Sequence, residues 1–178
     1  GEADLRALAG SYREKASGMV RRVRFEDGRL KVEAFGDTYA LTPLGGRRFR
    51  LDDGPADLTL EFEDGPSGRR LREGAAPRPV TLWDAVQPVA PTAAEMAAYA
   101  GRYYSEELDA TYALEMKDGA LALTARRLGG ALAPSVRDEF TLGSMVLRFE
   151  RDAQGRPAAF RLGQGRIRNL RFARREES

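Results

Sequence analysis

Serines, adjacent carboxylate pairs and one dense polar string are the places in this chain where reaction chemistry could reside. The string is Tyr99-Ala-Gly-Arg-Tyr-Tyr-Ser-Glu-Glu-Leu108, in which Tyr104, Ser105, Glu106 and Glu107 set a phenol, a hydroxyl and two carboxylates side by side. A serine becomes a nucleophile only when a base takes its proton, and in the S-x-x-K arrangement that base is a lysine three residues on. Ser11, Ser17, Ser67, Ser105, Ser135 and Ser144 all lack that lysine, and neither Tyr-x-Asn nor Lys-Thr-Gly occurs. These serines are expected in turns and hairpins.

A working carboxylate pair needs two groups facing each other in unlike environments. Asp52-Asp53, Glu106-Glu107, Asp138-Glu139 and Glu176-Glu177 are neighbours in sequence. Neighbours on a strand point to opposite faces, so these pairs read as hydrated turns and strand ends. Asp52-Asp53-Gly54 and Asp64-Gly65 depart from the spacing of a calcium-binding loop. The chain has no histidine and no cysteine, which removes the commonest general base, thiol catalysis and thiolate metal sites. The expectation is no catalytic residue, no metal and no cofactor in this chain.

Lys and Arg total 29 against 27 for Asp and Glu, a net charge of +2, and only Lys15, Lys31 and Lys117 are lysines. The basic tail (Arg161, Arg166, Arg168, Arg171, Arg174 and Arg175) could track phosphates. Leu170 and Phe172 alternate with Arg171 as in an ordinary strand, so no nucleic-acid partner is expected. No apolar run reaches the length of a membrane-crossing helix and no leader opens the chain, so no membrane span is expected either. Gly1 reads as interior sequence, the start of an excised piece.

The elements that must position these groups are short and mostly extended. Asp4 can cap a helical turn over Leu5 to Ala9, ended by Gly10. From there apolar and charged residues alternate: Val23 and Phe25 against Arg22, Arg24 and Glu26; an Asp27-Gly28 turn; then Leu30, Val32 and Ala34 against Arg29, Lys31 and Glu33. Further two-faced segments centre on Tyr39 and Leu41, Phe49 and Leu51, Leu58 to Phe62, Arg69 to Glu73 and Val80 to Ala85. The last carries the sole tryptophan, Trp83, a candidate for an apolar seam between domains. Alternation lapses between Val86 and Pro91, and Thr92-Ala-Ala-Glu95 then has the pattern of a capping box opening a second short helix.

The programme then repeats. Gly10 and Gly101, Tyr12 and Tyr103, Asp27 and Asp118, Leu41 and Leu132, Pro43 and Pro134, Phe49 and Phe140, Leu51 and Leu142 all stand 91 apart (101 − 10 = 91). Phe62 and Phe149 stand 87 apart, so the second copy is shorter before its Met145 strand. A repeat this long suits a duplicated domain. The reading is an all-β chain of two tandem antiparallel barrels of about eight strands, residues 1–87 and 88–178, each preceded by a short helix. Phe25, Phe62, Phe140, Phe149 and Phe160 are expected to face inward and fill the lumens.

Pro91-Thr92 through Glu95, Tyr99 to Leu108, Tyr112, Asp118-Gly119-Ala-Leu121 and the closing Gly165-Arg-Ile-Arg-Asn-Leu-Arg-Phe172 resemble the C-terminal region of the serine beta-lactamase-like hydrolases. Those proteins join a penicillin-recognising catalytic domain, as in class C beta-lactamases and D-aminopeptidases, to small lipocalin-like barrels. The first copy is similar but weaker. The resemblance implies a non-catalytic accessory region that stabilises or gates an N-terminal serine-hydrolase domain of the same parent chain, with export to the periplasm or beyond. It carries over no catalytic residue. Tyr104, Ser105, Glu106 and Glu107, which the first copy lacks, are the expected partner or ligand contacts. The alternative is a lipocalin-like module binding a small apolar or peptidic ligand.

Overall fold

The computed structural model describes residues 1–176 of the chain, which is all-β apart from two short helices. It divides into two compact units, Gly1–Gln87 and Pro88–Ser178. In the first, helix α1 (Glu2–Arg6) precedes β1 (Gly10–Arg13), β2 (Val20–Glu26), β3 (Arg29–Ala34), β4 (Asp37–Gly45), β5 (Arg48–Leu51), β6 (Thr59–Gly65), β7 (Gly68–Gly74) and β8 (Thr81–Val86). These eight strands form a closed antiparallel barrel, with β8 pairing back onto β1. In the second, helix α2 (Ala93–Ala97) precedes β9 (Gly101–Ser105), β10 (Ala110–Lys117), β11 (Ala120–Ala125), β12 (Leu128–Ala131), β13 (Ala133–Pro134), β14 (Glu139–Leu142), β15 (Met145–Arg151), β16 (Pro157–Gln164) and β17 (Ile167–Arg175). They make a nine-stranded antiparallel, barrel-like sheet whose two ends, β12 and β13, are consecutive in sequence.

The ninth strand has a local cause. In the first barrel β4 changes partner midway: Asp37 to Ala40 pair with β3, and Leu41 to Gly45 pair with β5. Its counterpart makes the same change at Leu132, 91 residues on, where the ladder is interrupted and one corner strand becomes β12 and β13. The change of partner therefore falls at the same corner in both copies.

Core pairs correspond one for one. Tyr12–Arg21, Phe49–Leu60, Phe62–Leu71 and Leu71–Trp83 in the first barrel have Tyr103–Tyr112, Phe140–Leu147, Phe149–Phe160 and Phe160–Phe172 in the second. The second interior is an aromatic ladder: Phe160 stacks on Phe172 at 4.9 Å and meets Tyr103 at 5.1 Å and Phe149 at 5.4 Å. Phe25 departs from expectation. It lies half-buried at the rim with the Arg6 guanidinium over its ring at 4.4 Å, because its strand has already reached the barrel's end. Trp83 is part of the first barrel's own core, 3% exposed.

One helix closes one end of each barrel. Helix α1 begins earlier than expected: Gly1 is the N-cap, and Asp4 lies inside the first turn with its carboxylate accepting from the Gly1 nitrogen at 2.7 Å. Leu8 then drops into the core. Helix α2 opens with the expected capping box, Glu95 N donating to Thr92 Oγ1 at 3.2 Å and Thr92 N to Glu95 Oε2 at 2.7 Å. After each helix comes a glycine at φ 153° or 151°, Gly10 or Gly101, a conformation that disfavours any side chain. Next is a buried tyrosine that donates back to a carbonyl four residues earlier, Tyr12 to Leu8 O at 2.7 Å and Tyr103 to Tyr99 O at 2.8 Å. An arginine completes the closure: Arg69 donates to Ala7 O in the first copy, and Arg174 to Ala98 O at 3.1 Å and to Ala100 O in the second.

Burial pushes the Tyr103 phenol from its ordinary 10.0 up to about 12, against the opposing pull of Arg174. A phenol that keeps its proton longer when folded contributes its full stability below pH 10 and loses it as the pH climbs toward 12. Tyr103→Phe is expected to flatten that alkaline decline, read as urea midpoints of the second unit across the same window.

Candidate functional site

The string Tyr104 to Glu107 is split by its own strand. Tyr104 faces outward, its hydroxyl donating to Asp109 Oδ1 at 2.7 Å and its ring lying under the Arg175 guanidinium at 4.0 Å. Ser105 faces inward and is fully buried, and its Oγ has no hydrogen-bond partner among the described residues. Glu106 and Glu107 are exposed in the turn to β10. The four groups therefore do not converge on one point. They sit at the end of the barrel opposite helix α2, the open end.

The other serines fill turns or hairpins. Ser17 Oγ accepts from Met19 N at 3.1 Å, Ser144 Oγ accepts from Gln164 Nε2 at 3.3 Å, and buried Ser135 offers its carbonyl to Val89 N at 2.9 Å. Ser11 is half-buried on β1 and Ser67 is exposed in the turn to β7. The carboxylate pairs fall in turns and at strand ends. Asp52 accepts from Thr42 Oγ1 at 2.7 Å and Arg29 at 2.5 Å, while Asp53 is exposed. Asp64 pairs with Arg47 at 3.5 Å, and Glu139 with Arg148 at 3.3 Å. Glu177 lies outside the described residues, so only Glu176 of that pair is placed. Arg161 and Arg171 of the basic tail share Glu150, at 2.6 and 3.3 Å. With Arg174 at the helix end, the tail is distributed among separate tasks. Among the described residues no helix is long and apolar enough to cross a membrane, and no group of three or more Asp or Glu side chains is placed to hold a metal ion.

Two charged clusters remain, one partly exposed and one buried. The first is at the helix end of the second barrel. Asp138 accepts from Tyr99 Oη at 2.6 Å and from Arg151 Nη2 at 2.7 Å, and Arg151 Nη2 also reaches Tyr99 Oη at 3.0 Å. Desolvation works to raise the Asp138 carboxyl, but hydrogen bonds from Arg151 and Tyr99 outweigh it and hold it below its ordinary 3.8. Burial, then the bond to Asp138, raises the Tyr99 phenol. A carboxylate committed to an arginine and a phenol kept protonated are poor general bases. The first barrel shows the same bridge with charges exchanged: Arg47 and Asp64 occupy the equivalent positions, and Phe62 N to Arg47 O at 3.0 Å matches Phe149 N to Asp138 O at 2.8 Å. The cluster is a strut beside a cavity of about 540 Å³ lined by Val89, Pro91, Glu95, Tyr99 and Arg151. Because the Asp138 carboxyl is depressed on folding, its contribution is present above pH 3.8 and lost as the pH falls below it. Asp138→Asn should lower the melting temperature at neutral pH and remove slope from the acid limb.

The second cluster lies in the open end of the first barrel. Arg21 on β2 and Glu73 on β7 are 3% and 9% exposed and form a two-pronged ion pair, Nε to Oε2 at 2.7 Å and Nη2 to Oε1 at 3.0 Å. The guanidinium carbon lies 4.2 Å from the Trp83 ring and 4.7 Å from the Phe35 ring. The indole Nε1–H of Trp83 is buried without a hydrogen-bond partner among the described residues. Phe35 is 51% exposed and sits at φ 55° in the two-residue turn from β3 to β4, a conformation bulky residues avoid.

At the equivalent positions the second barrel carries Tyr112, Leu162 and Phe172. Leu60 pairs with Glu73 where Leu147 pairs with Leu162. The contact of Arg21 with Trp83 becomes a ring contact of Tyr112 with Phe172 at 4.4 Å. A signal was present in the sequence. Arg21 is two residues before Val23 and Glu73 two after Leu71, so strict alternation puts both charges inside.

No protein-family model and no curated protein matches the chain.

Proposed function

We propose that this chain is a non-catalytic accessory region, two tandem lipocalin-like barrels that stabilise or gate a serine beta-lactamase-like catalytic domain of an exported parent protein. One observation supports the accessory role above the rest. The residues that carry the resemblance have architectural tasks: Thr92 and Glu95 cap α2, Gly101 and Tyr103 turn the chain into the barrel, and Leu170 and Phe172 fill its core. The histidine-free, cysteine-free composition agrees with it.

Two experiments test the reading. Turnover of activated esters, beta-lactams or D-amino-acid amides by the purified chain, surviving repeated purification, would overturn the non-catalytic assignment. An S-x-x-K and Tyr-x-Asn pair in coding sequence contiguous with this chain is the expected mark of the catalytic partner. A contiguous catalytic domain of another class would remove the hydrolase assignment.

A further inference from the structure

Several features that set the first barrel apart from the second gather at its open end. The buried Arg21–Glu73 pair and the exposed Phe35 are there. So are two wide connections, residues 52–58 between β5 and β6 and 75–80 between β7 and β8, where the second barrel has tight turns at Gly143-Ser144 and Gly165-Arg166. The β7–β8 ladder stops at Glu73–Thr81, although its counterpart zips to Gln164–Ile167 at the hairpin tip. Met19, Tyr39 and Ala75 are half-buried against the core around this opening, and Val80 is exposed at its rim.

The second barrel fills the same interior positions with Tyr112, Leu162 and Phe172, so the fold does not need charge there. A buried ion pair is poor at stabilising a fold compared with well-packed apolar residues. The pair stands beside a buried indole N–H that has no hydrogen-bond partner among the described residues, a donor left open to an acceptor. Phe35 lies over one aromatic-sized face of the guanidinium from an exposed turn in an unfavourable backbone conformation. Its ring occupies space that another flat group could take.

We propose that the open end of the first barrel is a binding site for a small, flat, uncharged molecule bearing a carbonyl, such as an aromatic amide or a capped aromatic peptide unit. The ligand displaces the Phe35 ring, lies against the Arg21 guanidinium and offers its carbonyl to donors of the cluster. Arg21 Nη1 stands outside the fork that grips Glu73, and the Trp83 N–H is the second donor. The preference for an uncharged ligand follows from Glu73, which already matches the arginine's charge and would repel a second carboxylate. This site is independent of the accessory role proposed above and stands or falls separately from it.

Trp83 is the only tryptophan and its ring faces the Arg21 guanidinium, so its emission reports on the first barrel with the site in direct contact. N-acetyl-L-phenylalaninamide titrated into the full chain is expected to change that emission saturably, with the free acid N-acetyl-L-phenylalanine weaker by about tenfold or more. Phe35→Ala should bind the amide several-fold tighter, because the internal competitor is gone. Arg21→Tyr with Glu73→Leu, which installs the second barrel's own pair, should keep the β-sheet circular dichroism and lose binding. Absence of saturable binding to both the parent chain and Phe35→Ala overturns the site. Unchanged affinity in the double variant removes Arg21 and Glu73 from it, and a free acid that binds as well as the amide refutes the proposed ligand class.

Discussion

Glu73→Leu alone is expected to destabilise the first unit by about 3–5 kcal/mol, a large share of what holds a domain of this size together. The substitution leaves the Arg21 guanidinium 3% exposed among Trp83, Phe35 and aliphatic side chains with its charge unmatched. The desolvation cost, formerly offset by two charge-assisted hydrogen bonds, then goes uncompensated. Adding Arg21→Tyr should recover all of that loss and leave the chain as stable as the parent or about 1–4 kcal/mol more stable. The second barrel already packs tyrosine and leucine at these positions. Urea unfolding followed by Trp83 emission measures both variants. A single substitution costing less than about 1 kcal/mol would mean that the pair is solvated.

Phe160→Ala should cost the second unit about 3–5 kcal/mol. Phe160 is 0% exposed and stands at the centre of the ring ladder, touching Phe172, Tyr103 and Phe149. Truncation leaves a void bounded by three rings held on three different strands, and strands pinned by ladders on both sides relax little. Trp83 belongs to the first unit and four of the six tyrosines to the second, so near-ultraviolet tyrosine dichroism should report the loss while tryptophan emission follows the first unit. A shift confined to the tryptophan signal would contradict the separate cores.

Much of this build is legible in the residues because each strand has one wet and one dry face and the turns are spelled by glycine and aspartate. The Asp27-Gly28 hairpin and the Thr92–Glu95 cap follow local rules and sit where those rules put them. Departures arise where position along a barrel axis matters, which periodicity does not encode. Phe25 has the right face but lies at the rim, and Leu132 interrupts a strand at a corner set by closure of the whole sheet. Arg21 and Glu73 were hidden by their type. A charged residue on an inward face reads as an exception to alternation, and only its partner 52 residues away makes it tenable. The string Tyr104 to Glu107 shows the converse. Its density in sequence becomes separation in space, one residue in the core, one on the wall and two in solvent.

The shared closure by helix, glycine, tyrosine and arginine has a consequence for how these barrels can diverge. Both copies keep that apparatus at one pole, and the loops, the polar interior and the exposed phenylalanine of the first copy differ at the other. Labour is thus divided along each barrel's axis and not along the chain. The plugged pole is an anchorage whose bonds do not involve the opposite rim, so that rim can be lengthened, recharged or grafted between copies while the anchorage stays intact.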